Sequence, residues 1–186
     1  MLKDEMVEPV IETARLRLRR HRADDLDERA AIGADPEVVR FLGGQPQSRE
    51  ESWIRLQRYA GHWALLGWGL FAVEDRRSGR LIGEAGLGRF ERGMGPGFDE
   101  APEAAWILAT EATGQGLAQE AMTAALAWHE ARFGTTRAVC LIGTENERSL
   151  RLAARLGFRS FRTAYYRQQP VMLLERLPLA PVAEAR

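Results

Sequence analysis

The chain has one lysine and one cysteine, no surplus of charge of either sign, and no apolar run of membrane-spanning length. Lys3 is the lysine and the other twenty-five basic residues are arginines, which stay protonated and cannot form Schiff bases, so lysine-based covalent catalysis is excluded. Cys140 alone cannot close an internal disulfide, and the opening Met-Leu-Lys-Asp-Glu lacks the apolar core of a signal peptide. Both point to a cytoplasmic protein. No apolar stretch approaches the ~18 residues of a membrane span. Twenty-six basic residues cancel twenty-six acidic ones, leaving no summed field to hold nucleic acid or an anionic membrane. His21, His62 and His129 have no metal-ligand spacing, and no metal is expected. No Walker loop, no full dinucleotide glycine fingerprint and no internal repeat is present.

What is present is ordinary globular composition, 45% apolar and 28% charged over 186 residues, a length that at about 150 residues per domain suits a single domain with short tails. The expected layout is an N-terminal extension over residues 1–10, a domain over 11–177 and a flexible tail over 178–186. Thr13 to Arg19 alternates apolar with charged residues, as in a strand wet on one face, with the arginines toward solvent. Helices are signalled after Asp24-Asp25, at Asp35-Pro36, and from Ser48, where Ser48 and Glu51 have capping-box spacing. Trp68 to Glu74 and Leu81 to Phe90 read as a hairpin, followed by a glycine-rich loop at Gly93 to Gly97 and a short strand at Ala104 to Leu108. A helix of about eighteen residues opens at Gly116 and stops at Gly134. Ala138 to Gly143 is a buried strand, Asn146 to Leu156 a helix, and Phe161 to Arg167 with Val171 to Leu177 a closing strand pair. The pattern is an α+β (mixed α/β) fold, a twisted sheet of about seven strands flanked by about four helices.

The stretch richest in chemistry is the strand ending at Leu108, then Gly114-Gln115-Gly116-Leu117-Ala118 opening the long helix. A helix N-terminus presents about four unpaired N–H groups and roughly half a positive charge, and glycines let a ligand approach them. That suits a phosphate or pyrophosphate; a loop that merely needs tight turns is the competing reading. Asn146-Glu147-Arg148-Ser149 and Leu156-Gly157-Phe158 bracket the next helix.

Together these residues resemble the GNAT superfamily of acetyl-CoA-dependent N-acetyltransferases. The family's pyrophosphate loop, Gln/Arg-x-x-Gly-x-Gly/Ala, falls on Thr113, Gly116 and Ala118; Thr113 departs from the pattern. The chain looks most like the RimJ/RimL branch, through Glu12 to Arg19, Asp35-Pro36-Glu37-Val38 to Phe41-Leu42-Gly43, Leu81-Ile82-Gly83, and Glu103 running into Gly114-Gln115-Gly116. The likeness spans about residues 11 to 177.

The resemblance implies acetyl-CoA as cosubstrate, its pantetheine arm along Ile107, Leu108 and Ala109 in the manner of an added strand, and its pyrophosphate on the amides of Gly114, Gln115, Gly116, Leu117 and Ala118. Asn146 would bond the arm or cap its helix. Glu103 is the expected general base, with Glu84 second; Glu84 would point into the acceptor cleft or face water. The tyrosine many relatives use as acid is replaced by Ala153, and Ser149 is the expected hydrogen-bond donor to sulfur. The implied reaction is direct attack of a primary amine on the acetyl carbonyl. A small molecule is the favoured acceptor, with a protein N-terminus or non-catalytic acyl-CoA binding as alternatives. Homodimers are common in that family. Cys140 reads as a core residue, and Trp53, Trp68 and Trp106 as the tryptophans to find near a ligand.

Overall fold

A computed structural model describes residues 9–178 of the chain. The proposed extension and tail therefore lie outside the described residues, except for residues 9, 10 and 178. In order, the chain forms β1 (Ile11–Glu12), β2 (Leu16–Arg19), α1 (Leu26–Ala34), α2 (Pro36–Val39), α3 (Arg49–Leu66), β3 (Leu70–Asp75), β4 (Leu81–Gly88), β5 (Glu103–Leu108), α4 (Leu117–Phe133), β6 (Ala138–Gly143), α5 (Glu147–Arg155), β7 (Arg159–Tyr166) and β8 (Gln169–Arg176). The strands make one mixed sheet in the order β1-β2-β3-β4-β5-β6-β8-β7, in which only β5 and β6 run parallel. The mixed α+β architecture is the expected one. Eight strands and five α-helices stand against expected totals of about seven and about four; the two-residue β1 is outside the expected layout, whereas the four-residue α2 begins at the Asp35-Pro36 signal. No helix among the described residues is long and apolar enough to cross a membrane.

Local chemistry sets the helix ends. Ser48 accepts from the Glu51 N–H at 3.1 Å while the Glu51 carboxylate accepts from the Ser48 N–H at 2.7 Å, the reciprocal cap expected from the spacing. Asp35 caps α2, whose first residue is Pro36. On α4, Leu117, Ala121, Met122, Ala125 and Leu126 recur at helical intervals and are buried against one face of the sheet, with Phe71, Val73, Ala85 and Leu87. Alternation along β4 then turns Glu84 to the opposite face, toward α1 and α3. Between β4 and β5 the backbones approach so closely that a Cβ on Gly83 would lie 2.2 Å from the Ile107 carbonyl oxygen.

One expectation for the first strand is corrected. Arg15 and Arg17 are exposed, but Arg19 is buried, with Nη1 and Nη2 on Asp25 at 2.9 and 2.7 Å and Nε on Glu74 at 2.9 Å. Alternation identifies which side chains share a face, but not that the turn after β2 brings Asp25 back beneath the sheet.

All three histidines are held below their ordinary pKa by burial, and His21 is pushed down to about 4 despite the neighbouring Glu84 carboxylate. Between about pH 4 and 6.5 the unfolded chain therefore binds a proton at His21 that the folded chain excludes, so stability is full above pH 6.5 and falls as pH drops toward 4. His21 alone accounts for about 3 kcal/mol of that loss. Chemical denaturation at pH 8 and at pH 4.5 should show the difference shrinking in His21→Gln. An unchanged difference would assign the acid sensitivity to other groups.

Candidate active site

β5 and β6 are joined by a single register pair, Glu103 with Val139, whose N–H donates to the Pro102 carbonyl at 2.9 Å. Beyond it the strands part, while β5 stays paired to β4 along its whole length and β6 to β8 along its own. Pro102 faces β6, and the Ala109 N–H faces β4, bonding the Ile82 carbonyl at 2.9 Å. By strand alternation the peptide groups of Trp106 and Leu108 face the opening between β5 and β6. Of the predicted rail residues, then, Leu108 presents its peptide group there. Ile107 is turned to β4, and both peptide groups of Ala109 are used, its carbonyl accepting from the Ala112 N–H at 3.0 Å.

The opening leads from β5 into the glycine loop. Gly114 and Gly116 have φ of +77° and +76°, left-handed values that glycine adopts without penalty, and a Cβ on Gly114 would meet nothing within 4 Å. Gly116 is the N-cap of α4, and no side chain caps this end. The N–H groups of Leu117 and Ala118 thus point from the mouth of a 17-residue helix, although the Leu117 side chain itself is buried in the core. Arg15 lies over the loop, its Nη1 donating to the Gln115 carbonyl at 2.9 Å and its Nε to the Glu120 carboxylate at 2.7 Å. It thereby neutralises the acidic residue of the first helical turn. An uncapped helix mouth with a cation beside it and open glycine surface fits a pyrophosphate. Thr113, at the departing motif position, instead donates its hydroxyl to the Thr110 carbonyl at 2.8 Å.

Across the opening stands the N-terminus of α5. Asn146 caps it, its Oδ1 accepting from the Ser149 N–H at 3.1 Å. The Ser149 hydroxyl accepts from the Trp106 indole N–H at 3.3 Å and keeps its own hydrogen to donate. Among the three tryptophans singled out, Trp106 is the one at this opening; Trp53 is 39% exposed on α3, and Trp68 packs edge-on against His129 of α4 at 5.2 Å.

Glu103 sits where the strands begin to part and is almost fully buried. Arg92 holds it, with Nε 2.8 and 2.7 Å from the two carboxylate oxygens, and Arg92 also bonds the Tyr166 hydroxyl at 3.2 Å. Burial raises the Glu103 pKa above the ordinary value, opposed by Arg92. Glu84, in contrast, neither lines an open cleft nor faces water. It is 1% exposed, with Arg29 Nε at 3.0 Å, Arg55 Nη1 at 3.7 Å and the Tyr59 hydroxyl at 2.5 Å. Burial favours its neutral form, but Arg29 and Arg55 hold its pKa below the usual carboxylate value. It is an ion-pair anchor for α1 and α3. Cys140 is buried on β6, as expected.

Sequence reasoning missed Arg92, Arg15 and the Trp106–Ser149 bridge. Arg92 lies in a glycine-rich loop, eleven positions from Glu103, where no periodicity marks it. Arg15 continues the arginine alternation of residues 13–19, so the sequence does not set it apart; only the start of β2 at Leu16 leaves it free to reach the loop.

Comparison with known proteins agrees with this geometry. Residues 15–159 match the acetyltransferase (GNAT) domain family. A structure from Bordetella pertussis assigned to the GnaT-family acetyltransferases is 39% identical, with a TM-score of 0.82 over 90% of this chain and 99% of that one. The uncharacterized protein YkkB of Bacillus subtilis (strain 168) is 29% identical over 173 residues, 88% of this chain and 93% of its own. RimL, a ribosomal L7/L12 alpha-N-protein acetyltransferase solved with coenzyme A, shares the fold at 15% identity, with a TM-score of 0.75 over 91% of this chain and 98% of that one. With parted parallel strands, an open glycine-capped helix mouth and a family match across most of its length, the chain belongs to the GNAT acetyltransferases.

Proposed function

We propose that this protein transfers acetyl from acetyl-CoA to a primary amine, that it belongs to the RimJ/RimL-like branch, and that its acceptor is a small molecule. The observation that carries the reading is the parting of β5 from β6 directly upstream of an uncapped helix N-terminus. A strand edge with free peptide groups can pair the amides of a pantetheine arm, and the helix mouth can seat the diphosphate. The coenzyme A in the RimL structure supports that use of the shared fold. Acetyl-CoA would supply the activated acyl group.

In this scheme Gly114, Gln115, Gly116, Leu117 and Ala118 seat the pyrophosphate, Trp106 and Leu108 present backbone partners to the arm, and the amide side of Asn146 borders it. Ile107 contributes through its position in the β5 floor, and Ala109 and Thr113 shape the turn into the loop. A backbone N–H on the open edge of β5 stabilises negative charge developing on the acetyl oxygen. Glu103 accepts the proton lost by the attacking amine, directly or through water; its raised pKa brings it nearer to the working range of a base. Ser149, whose hydroxyl hydrogen is free, donates toward the departing sulfur.

The test has two stages. Calorimetry should show acetyl-CoA binding, and free thiol should then be released steadily across part of an amine panel. Binding without release from any amine or peptide N-terminus would instead support a non-catalytic acyl-CoA-binding module. Release with a peptide N-terminus alone would support protein acetylation.

A further inference from the structure

We infer that the acceptor carries an anionic group besides its amine, a carboxylate in the simplest case, and that Arg58 and Arg55 of α3 receive it. This rests on the acetyl-transfer reading and narrows it.

Glu84 and Ile107 are cross-strand partners, as are Gly88 and Glu103, so Glu84 and Glu103 lie on the same face of the sheet, the one that α3 packs against. The arginines on this face are not all paired. Beside Glu84 and Glu103 stand Arg29 from α1, Arg55 and Arg58 from α3, and Arg92 from the loop after β4, while Asp25 and Glu74 are taken up by Arg19, and Asp99, also near Glu103, accepts from the Gly95 N–H at 2.7 Å. Arg29 is committed to Glu84 and Arg92 to Glu103. Arg55 only shares Glu84, at 3.7 Å. Arg58 has no carboxylate within 4.0 Å among the described residues. Of the neighbouring groups, Arg89 is paired with Glu91, and His21 is held neutral by burial.

The unpaired cation, Arg58, is exposed on α3 yet positioned. Arg58 lies over Tyr59 at 5.5 Å and over Phe90 at 5.4 Å, and Phe90 carries the Arg92 guanidinium at 4.8 Å as well. Two guanidiniums sharing one ring repel each other, and a bound anion relieves that repulsion. The row continues from Arg92 to Glu103 and to Tyr166 near the β7–β8 turn, so it reaches the point where the strands part. Arg55 and Arg58 are three residues apart on α3 and so share a face, and two guanidinium forks suit a carboxylate. The positive charge of this pair repels a polyamine or an aminoglycoside. It also disfavours the ammonium form of an incoming amine, leaving more of it as the nucleophile.

The experiment measures thiol release with acetyl-CoA for matched acceptors: L-alanine against L-alaninamide, L-aspartate against its diamide, and spermidine. Binding of the same compounds is read separately, by thermal shift of the CoA-bound protein. In the parent protein the carboxylate form of at least one pair should exceed its amide in kcat/KM by roughly tenfold or more. Arg58→Gln and Arg55→Gln should each shrink that ratio, mainly through KM, without altering acetyl-CoA affinity; Arg58→Lys should keep part of it. Turnover with equal use of amides, preference for spermidine, or a ratio unmoved in both variants would overturn the anionic-acceptor inference and leave acetyl transfer standing. Carboxylate-selective binding lost in Arg58→Gln, without any thiol release, would uphold the anion site and overturn acetyl transfer. Neither binding selectivity nor turnover would overturn both.

Discussion

Replacing Gly116 with glutamate should reduce acetyl-CoA affinity at least about a hundredfold, because the substitution puts a carboxylate at the helix mouth that attracts the diphosphate. The left-handed φ of +76° adds strain of about 1–2 kcal/mol for a residue with a Cβ. Arg15, whose Nη2 lies 3.7 Å from where that Cβ would stand, is the nearest cation to the new carboxylate. The two would pair across the seat. Gly116→Asn separates the causes, since asparagine tolerates the left-handed region and carries no charge. Calorimetry and CoA-induced thermal stabilisation should be lost in the glutamate variant and largely kept in the asparagine variant. If the glutamate variant is stabilised as fully as the parent, the pyrophosphate sits elsewhere.

Glu103→Gln should lower kcat by about a hundredfold or more, the ordinary contribution of a positioned base, with acetyl-CoA affinity nearly unchanged. The loss should be greatest above the Glu103 pKa, where the parent carboxylate is ionised, and should shrink at low pH, where the parent's base is itself protonated. Because Arg92 is bound to Glu103 at 2.7–2.8 Å, the variant also strands a half-buried guanidinium, and some thermal stability goes with it. Arg92→Gln therefore serves as a second measurement. Arg92 opposes the burial that raises the Glu103 pKa, so removing it should move the acidic limb of the kcat/KM profile to higher pH. A profile that stays put, together with full activity in Glu103→Gln, would transfer proton removal to bulk water. Glu84 does not inherit the role, because its carboxylate is kept ionised by Arg29 and Arg55 and is shut away from the opening.

The chain's own patterns determined the features set by neighbours along it. The period of α4 and its glycine ends, the bounds of β6, and the Ser48 cap depend on residues within one or two turns, and each appears where the spacing places it. So does the glycine loop, because left-handed φ values at Gly114 and Gly116 are a local demand that glycine meets. Tertiary structure decided what depends on which strands become neighbours. Periodicity assigned Glu84 to one face of β4, but only the packing of α1 and α3 on that face made it a buried ion-pair anchor. Arg19, expected in solvent, was drawn inward by Asp25 and Glu74, the latter 55 positions away. The parting of β5 from β6 has no mark in either strand's sequence, because it arises from how the β6–β8–β7 half of the sheet joins the other half. Short-range hydrogen bonding and side-chain period are written residue by residue, whereas charge pairing and strand separation are properties of surfaces that exist only once the sheet has closed around its helices.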